Sequence, residues 1–321
     1  MTAEPVRQPV AGTVAHATSL DVARACGCSS SDLPESLLEL HVELAGALPT
    51  TTLGVGFEMR RWRAGALARH IIDWIPDFAL RDVDQDAPGY GRMVERLRRG
   101  LQATFGRKHD LSPAAEVLLH AICREMYGSS TLVHKVVFKT ADNDTYKGFD
   151  AVHVVHAIDG SLELWLGEAK FYVDVTDALR SIARDLKEHS SAGYLRNEFA
   201  IVASKISDAH PHAAEMRELL HPNRRLEDVF GRIVIPAFVT YNSEATFEHE
   251  VMCDEYTTAL VEEARHGQSA LVSMIEKIKK DQRDAGDPMA DFPIEVRLFL
   301  LPMAGKAELV AALEKELSWV R

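Results

Sequence analysis

Between about residue 130 and residue 172 the apolar positions come in runs dominated by Val, Ile, Leu and aromatic residues, whereas on either side they recur every three to four residues. That contrast predicts strands over 132–139, 149–158 and 162–172, between helices over 112–126 and 175–189. The first helix has a start in Ser112 as cap, Pro113 at its first position and Glu116 in the first turn, and it should stop before Gly128. Further along, the pattern predicts strands at 199–206 and 232–240, helices at 247–263 and 269–283, a last strand at 294–301 and a closing helix at 306–320. Upstream, strand patterns at 37–44 and 53–57 precede helices at 63–74, closed by Pro76, and at 91–104. Residues 1–33 mix Pro, Ala, Thr, Ser and Gly without periodicity and read as a flexible leader. The elements predict an α/β (α+β) chain with a mixed central sheet flanked by helices. Its expected parts are the leader, an N-terminal strand and helix region over 34–110, and a core over 111–321 that can also form one domain with it.

Composition narrows this picture. With 321 residues, 46% of them hydrophobic and 26% charged, the chain can bury a large core and suits a soluble globular protein. No stretch approaches the roughly 18 uninterrupted apolar residues of a spanning helix, and the first residues lack a basic region followed by an apolar one, so a membrane role is not expected and the cytosol is the default. Cys26, Cys28, Cys123 and Cys253 have no zinc-ribbon spacing and are expected to be free thiols. A net charge of -12 argues against a general nucleic-acid coat. The charge is unevenly spread: residues 92–108 hold six basic residues against one acid, while residues 244–263 hold seven acids and no Lys or Arg. Helix 91–104 therefore has a basic side of Arg92, Arg96 and Arg99 opposite an apolar stripe of Met93, Leu97 and Leu101. That side is a candidate DNA contact and the acidic C-terminal half a candidate protein-contact surface; solvated helix faces of opposite sign give the same pattern.

The candidate chemistry lies in the hairpin. Side chains alternate along a strand, so Glu168 and Lys170 share a face above Leu162, Leu164 and Leu166, and Asp150 begins the preceding strand on the face of Val152 and Val154. A two-residue turn at Asp159-Gly160 would pair Asp150 with Ala169 and put it on the wrong side. A three-residue loop, Ile158-Asp159-Gly160 with Gly160 left-handed, pairs Ala157 with Ser161, Val152 with Leu166 and Val154 with Leu164, and sets Asp150 opposite Glu168. Hydrophobic matching predicts this second register. Two adjacent carboxylates are costly without a cation, and Mg2+, or Mn2+ in its place, takes oxygen ligands while keeping several waters. Asp150, Glu168 and the backbone carbonyl of Ala169 are the expected metal ligands. Lys170 is expected to orient water or a phosphate oxygen; a salt-bridged strand end is the alternative for the same three charges.

The element order with Asp150, Glu168 and Lys170 resembles the PD-(D/E)xK nuclease superfamily, whose restriction-endonuclease-like core carries an Asp on one strand and acidic-x-Lys on the next. Closer wording, in Gly148-Phe149-Asp150-Ala151-Val152-His153, Leu164-Trp165-Leu166-Gly167-Glu168-Ala169-Lys170-Phe171-Tyr172 and Trp74-Ile75-Pro76-Asp77-Phe78-Ala79-Leu80, is similar to the HamA family, nuclease subunits of the Hachiman anti-phage defence system. The resemblance implies a bacterial, cytoplasmic, Mg2+-dependent DNase held by a helicase partner of the HamB type. Phe149 stands where the superfamily usually has Pro. Glu116 becomes the candidate fourth acid, since many such nucleases add a helix Glu. The competing class is a catalytically silent DNA-binding adaptor or regulatory subunit of a helicase complex.

Other candidates are weaker. Asp185-Leu186-Lys187 repeats the acidic-x-Lys spacing on a helix with no carboxylate hairpin before it and is discounted. Lys135 and Lys139 flank a strand and read first as solvent-facing. His153 and His156 fall on opposite faces and cannot ligate one metal, which leaves His153 as a support behind the metal ligands or a DNA contact. His249 and Cys253, with i, i+4 spacing, read as residues of one helix, and His210, His212 and His221 as surface histidines. No phosphate-binding Gly-x-x-x-x-Gly-Lys-Ser/Thr occurs, so any ATP use belongs to a partner.

Overall fold

A computed structural model of the chain describes residues 37–80, 90–106, 110–134, 148–157, 159–291 and 294–320. The expected leader, Cys26 and Cys28, and Lys135 and Lys139 lie outside them.

Seven strands form one mixed sheet in the order β1-β2-β9-β8-β7-β6-β5. These are β1 (Leu40–Leu44), β2 (Thr50–Gly54), β5 (Ser130–Val133), β6 (Ala151–His156), β7 (Leu162–Phe171), β8 (Ile233–Asn242) and β9 (Glu295–Met303). Strands β2, β9, β8 and β7 run parallel, and the β1–β2, β7–β6 and β6–β5 pairs are antiparallel. A separate two-stranded hairpin joins β3 (Phe57–Glu58) to β4 (Arg61–Trp62). One face of the sheet, carrying Val152, Val154, Leu164 and Leu166, is covered by α4 (Val175–His189), α5 (Ala192–Lys205), α6 (Ala213–Leu219), α7 (Leu226–Phe230) and α9 (Asp254–Asp284). The other, carrying Ala151, Val155, Trp165, Ala169 and Phe171, is covered by α1 (Ala64–Ala79), α3 (Ala114–Tyr127) and α10 (Lys306–Val320), with α2 (Tyr90–Phe105) outside α1. A short α8 (Glu244–Glu248) follows β8.

Four expectations need correction. Pro76 does not close α1, which continues to Ala79. An interior Pro costs on the order of 3 kcal/mol, but burial of Trp74, Ile75, Phe78 and Ala79 in that last stretch outweighs it. Residues 199–206 are not a strand: Ser191 caps α5, and Leu195, Phe199 and Val202 recur at helical spacing as its buried stripe. The two helices expected over 247–283 are α8 and one 31-residue α9, whose buried Tyr256, Leu260, Ala264, Gly267 and Leu271 form an uninterrupted stripe. Gly267 lies in that stripe facing the sheet, where a Cβ would make an ordinary contact with Leu300 at 3.5 Å. On α2, Leu97 and Leu101 of the expected stripe pack against the core, but Met93 is 58% exposed and lies outside the packed side. The packed side also includes Gly100, where a Cβ would lie 2.8 Å from Ile75.

Two features at the centre position the site. The β7–β8 pairs on either side of Ile235-Pro236 are Trp165↔Val234 and Glu168↔Ala237. Pro236 has no N–H to donate, so the ladder is interrupted next to Glu168. On the other face, a Cβ on Gly167 would stand 2.6 Å from Leu119, so the glycine allows α3 to pack directly on β7.

Candidate active site at the end of the β6–β7 hairpin

The hairpin adopts the register that brings the carboxylates together. Val152 pairs with Leu166 and Val154 with Leu164. Ala157 donates its N–H to the Ser161 carbonyl at 2.8 Å, and Gly160 has φ +84°, the left-handed conformation the three-residue loop requires. The Asp150 N–H meets the Gly167 carbonyl at 2.8 Å, and Asp150 Oδ2 accepts the Ala169 N–H at 3.0 Å. Asp150 thus lies across from Glu168. Because the N–H and C=O of one strand residue point to the same side, the Ala169 carbonyl also faces the β6 side.

Glu168 is only 3% exposed. Burial, assisted by the neighbouring Asp150 charge, pushes its pKa up to about 6 against the opposing pull of His189 and Lys170. Its Oε1 lies 2.6 Å from His189 Nδ1, yet neither atom has a well-directed hydrogen bond. The approach is a close ion-pair contact that ties the carboxylate to the helix side of the site. Lys170 Nζ stands 3.7 Å from Glu168 Oε2 and 2.7 Å from Asp185 Oδ2. Burial disfavours its charge, but Glu168, Asp185 and Asp150 outweigh that and raise its pKa, so the ammonium stays protonated.

Asp185 and His189 are one turn apart on α4 and form the site's second wall. His189 stacks on Tyr194 at 4.3 Å, and Phe149 packs edge-on against His189 at 4.9 Å. Phe149, in place of the usual Pro, supplies an apolar side to the site. Of the helical acidic-x-Lys triplet, Asp185 reaches Lys170, contrary to expectation, while Lys187 is exposed. The only advance signal for this pair is its i, i+4 spacing on the helix that follows β7.

The remaining candidates lie elsewhere. Glu116 is in the first turn of α3, a helix on the opposite face of the sheet from Glu168. Arg99 is exposed on α2, Arg96 is half-buried with its Nε enclosed, and the side chain of Arg92 is outside the described residues. His249 ends α8 and Cys253 caps α9, so they do not share a helix. His210 is buried rather than on the surface. Among the described residues no group of three or more His, Cys, Asp or Glu side chains is placed to hold a metal ion. Nor is any helix long and apolar enough to cross a membrane.

His153 is not a DNA contact. It is 1% exposed on the far face and belongs to a buried chain with Ser129, His120 and Asp77. Asp77 Oδ2 accepts from His120 Nε2 at 2.7 Å, which leaves His120 Nδ1 to accept from His153 Nε2 at 3.2 Å and His153 Nδ1 to accept from the Ser129 hydroxyl at 2.8 Å. Every proton in the chain is thereby assigned. Burial lowers the pKa of His120 and pushes that of His153 well down. The unfolded chain protonates both imidazoles below about pH 6.5, and the folded chain resists it, so the stability they allow above that pH falls as the pH drops through it. His189 acts in the opposite sense: although burial disfavours its charge, Glu168 raises its pKa, and that contribution is lost as pH rises. A His153→Gln chain is therefore expected to show a smaller loss of melting temperature than the parent between about pH 7.5 and pH 5. An unchanged pH slope would contradict the neutral assignment.

A comparison with curated proteins found no match. The HamA family model matches residues 35–317, a span that contains the whole hairpin, the α4 wall and the buried Asp77 chain. The protein is therefore a member of the HamA family, a component of the Hachiman type of anti-phage defence.

Proposed function

We propose that the chain is a metal-dependent deoxyribonuclease that hydrolyses DNA phosphodiester bonds under the control of a partner helicase. The observation that carries this reading is Asp150 in register with a buried Glu168, with Lys170 two residues on and 3.7 Å from the Glu168 carboxylate. The donor set suits Mg2+ or Mn2+: two carboxylates and the Ala169 carbonyl offer oxygen only, and such ions complete their shells with water and substrate phosphate rather than with a full protein cage. Asp150, Glu168 and that carbonyl would hold the ion. When bound, the ion supplies Lewis acidity and a more acidic water.

The chain's own residues do the rest. Lys170, kept charged by three carboxylates, is placed to bind a non-bridging phosphate oxygen and offset the charge that builds up during attack. Asp185 fixes where the ammonium sits. His189 holds Glu168 in place from the helix side, and Phe149 and Tyr194 limit water on that flank. The net charge of -12 implies weak autonomous hold on DNA, so productive engagement relies on the partner.

One observation favours the adaptor reading: Lys170 and Glu168 both have close protein partners, Asp185 and His189. Calorimetric titration with Mn2+ separates the two. The nuclease reading expects binding by the parent chain that falls at least about tenfold in Glu168→Gln, since a ligand carboxylate has lost its charge. An adaptor shows no affinity that depends on Glu168.

A further inference from the structure

We infer that the tip of the β3–β4 hairpin, the exposed side of α8 and the loop after it form one docking surface for a partner protein whose contact face is apolar at the centre and basic at the rim. Met59 is 92% exposed, Phe247 74%, Val251 53% and Met252 38%; these are four of the seven large apolar side chains exposed among the described residues. They belong to one patch. Arg60 Nε contacts Glu250 Oε2 at 2.6 Å and ties the hairpin tip to the loop. Beneath them Phe57 and His249 both pack on the buried Tyr256, with ring centroids 5.2 and 5.4 Å away.

The tip is held in a costly shape. Met59 and Arg60 have φ of +48° and +62°, values that this two-residue turn demands at both positions and that Asn and Gly ordinarily supply. The chain instead places its most exposed large apolar side chain there, where solvent surrounds it and the fold gains nothing from it. Strained, outward-facing residues of this kind gather where something binds.

Charge selects the occupant. Glu58, Glu244, Glu248, Glu250, Asp254 and Glu255 are exposed around the patch against Arg60, which is paired with Glu250, and Arg61, a net acidic rim that repels nucleic-acid phosphates and anionic lipids and favours Lys and Arg across a contact. A second copy of this chain, docked two-fold through the same patch, would set one acidic rim against the other. A separate, basic-rimmed subunit fits. The surface starts where β8 ends, with Ser243 N–H bonded to the Met303 carbonyl at the end of β9. Lys170 pairs with Val239 a few residues before that point, so a subunit seated on the patch borders the end of the sheet that carries the candidate site. The inference deepens the partner half of the proposed function and rests on it, but it does not depend on whether the site cuts DNA.

The test titrates the full chain with the helicase subunit encoded in the same defence system, by biolayer interferometry. Met59→Glu with Phe247→Glu should weaken binding by about 30-fold or more, as loss of central apolar anchors does. Val94→Glu, an exposed apolar position outside the patch, should leave it within about twofold, the usual range for residues outside an anchor cluster. All three positions are exposed, and thermal melts establish that the variants fold. Binding that survives the double substitution overturns the surface alone, whereas no binding by the parent chain overturns the helicase partner and the surface with it. A parent dimer in sedimentation velocity that the double substitution dissociates also overturns the proposal, by assigning the patch to a second copy.

Discussion

Lys170→Ala is expected to lower DNA cleavage by roughly a hundred- to a thousand-fold, the usual cost of losing one charge-stabilising donor at a reaction centre, while leaving the fold intact. The side chain is 17% exposed and its ammonium is the cation that Asp185 approaches at 2.7 Å and Glu168 Oε2 at 3.7 Å. Without it two carboxylates lose their shared counter-charge, and Glu168, already raised to about 6 by burial, is held ionised by His189 alone. Lys170→Arg separates charge from position: the guanidinium keeps the charge but is planar and longer, so activity should stay low although the electrostatics are conserved. Cleavage rates near the parent's for Lys170→Ala would remove Lys170 from the reaction.

Asp77→Ala should have the largest effect on stability, about 3 kcal/mol. That is the lower end of the range for removing one partner of a buried pair, because the Asp77 side chain is 21% exposed. Asp77 accepts from His120 Nε2 at 2.7 Å and forms an ion pair with Arg124, whose Nε lies 3.2 Å away, and its backbone carbonyl meets His134 Nδ1 at 3.1 Å. Burial works against its charge, but His120 and Arg124 hold the carboxyl well below the usual range. Truncation leaves Arg124 uncompensated and frees the proton order of the His120–His153–Ser129 chain. Since α1, α3, the link between α3 and β5, and β6 all contribute to that chain, the loss should appear as a fall in melting temperature of roughly 5–10 °C by differential scanning calorimetry. Asp77→Asn, which still accepts from His120, should recover part of it. A melt unchanged in Asp77→Ala would show that the chain is not structural.

The part of the site that could be read in advance is the part held by local rules. Strand parity and the match of Val152 with Leu166 and Val154 with Leu164 specify the hairpin register, and Gly160 supplies the loop, so Asp150 and Glu168 meet without reference to the rest of the molecule. The α4 wall could not be read this way. Asp185 and His189 look like any polar helix face until α4 is packed across β7, and the acidic-x-Lys copy at Asp185 drew attention to the wrong pairing. His153 joins Ser129, His120 and Asp77 from three other segments, so its burial depends on tertiary packing alone. The missed helix at 192–205 has a different cause. A short apolar run fits strand and helix alike, and what decides it is the Ser191 cap eight residues before Phe199. Pro76 is the converse, a local signal overridden by burial of the residues around it.

The most direct measurement of the central claim is plasmid degradation by the purified chain with Mg2+ or with EDTA, alone and with the helicase subunit. Cleavage that requires Mg2+, rises when the helicase is present and disappears in Lys170→Ala is the predicted result. A chain that binds the helicase yet leaves the plasmid intact with Mg2+ or Mn2+ under every condition would contradict the account and leave the adaptor in its place.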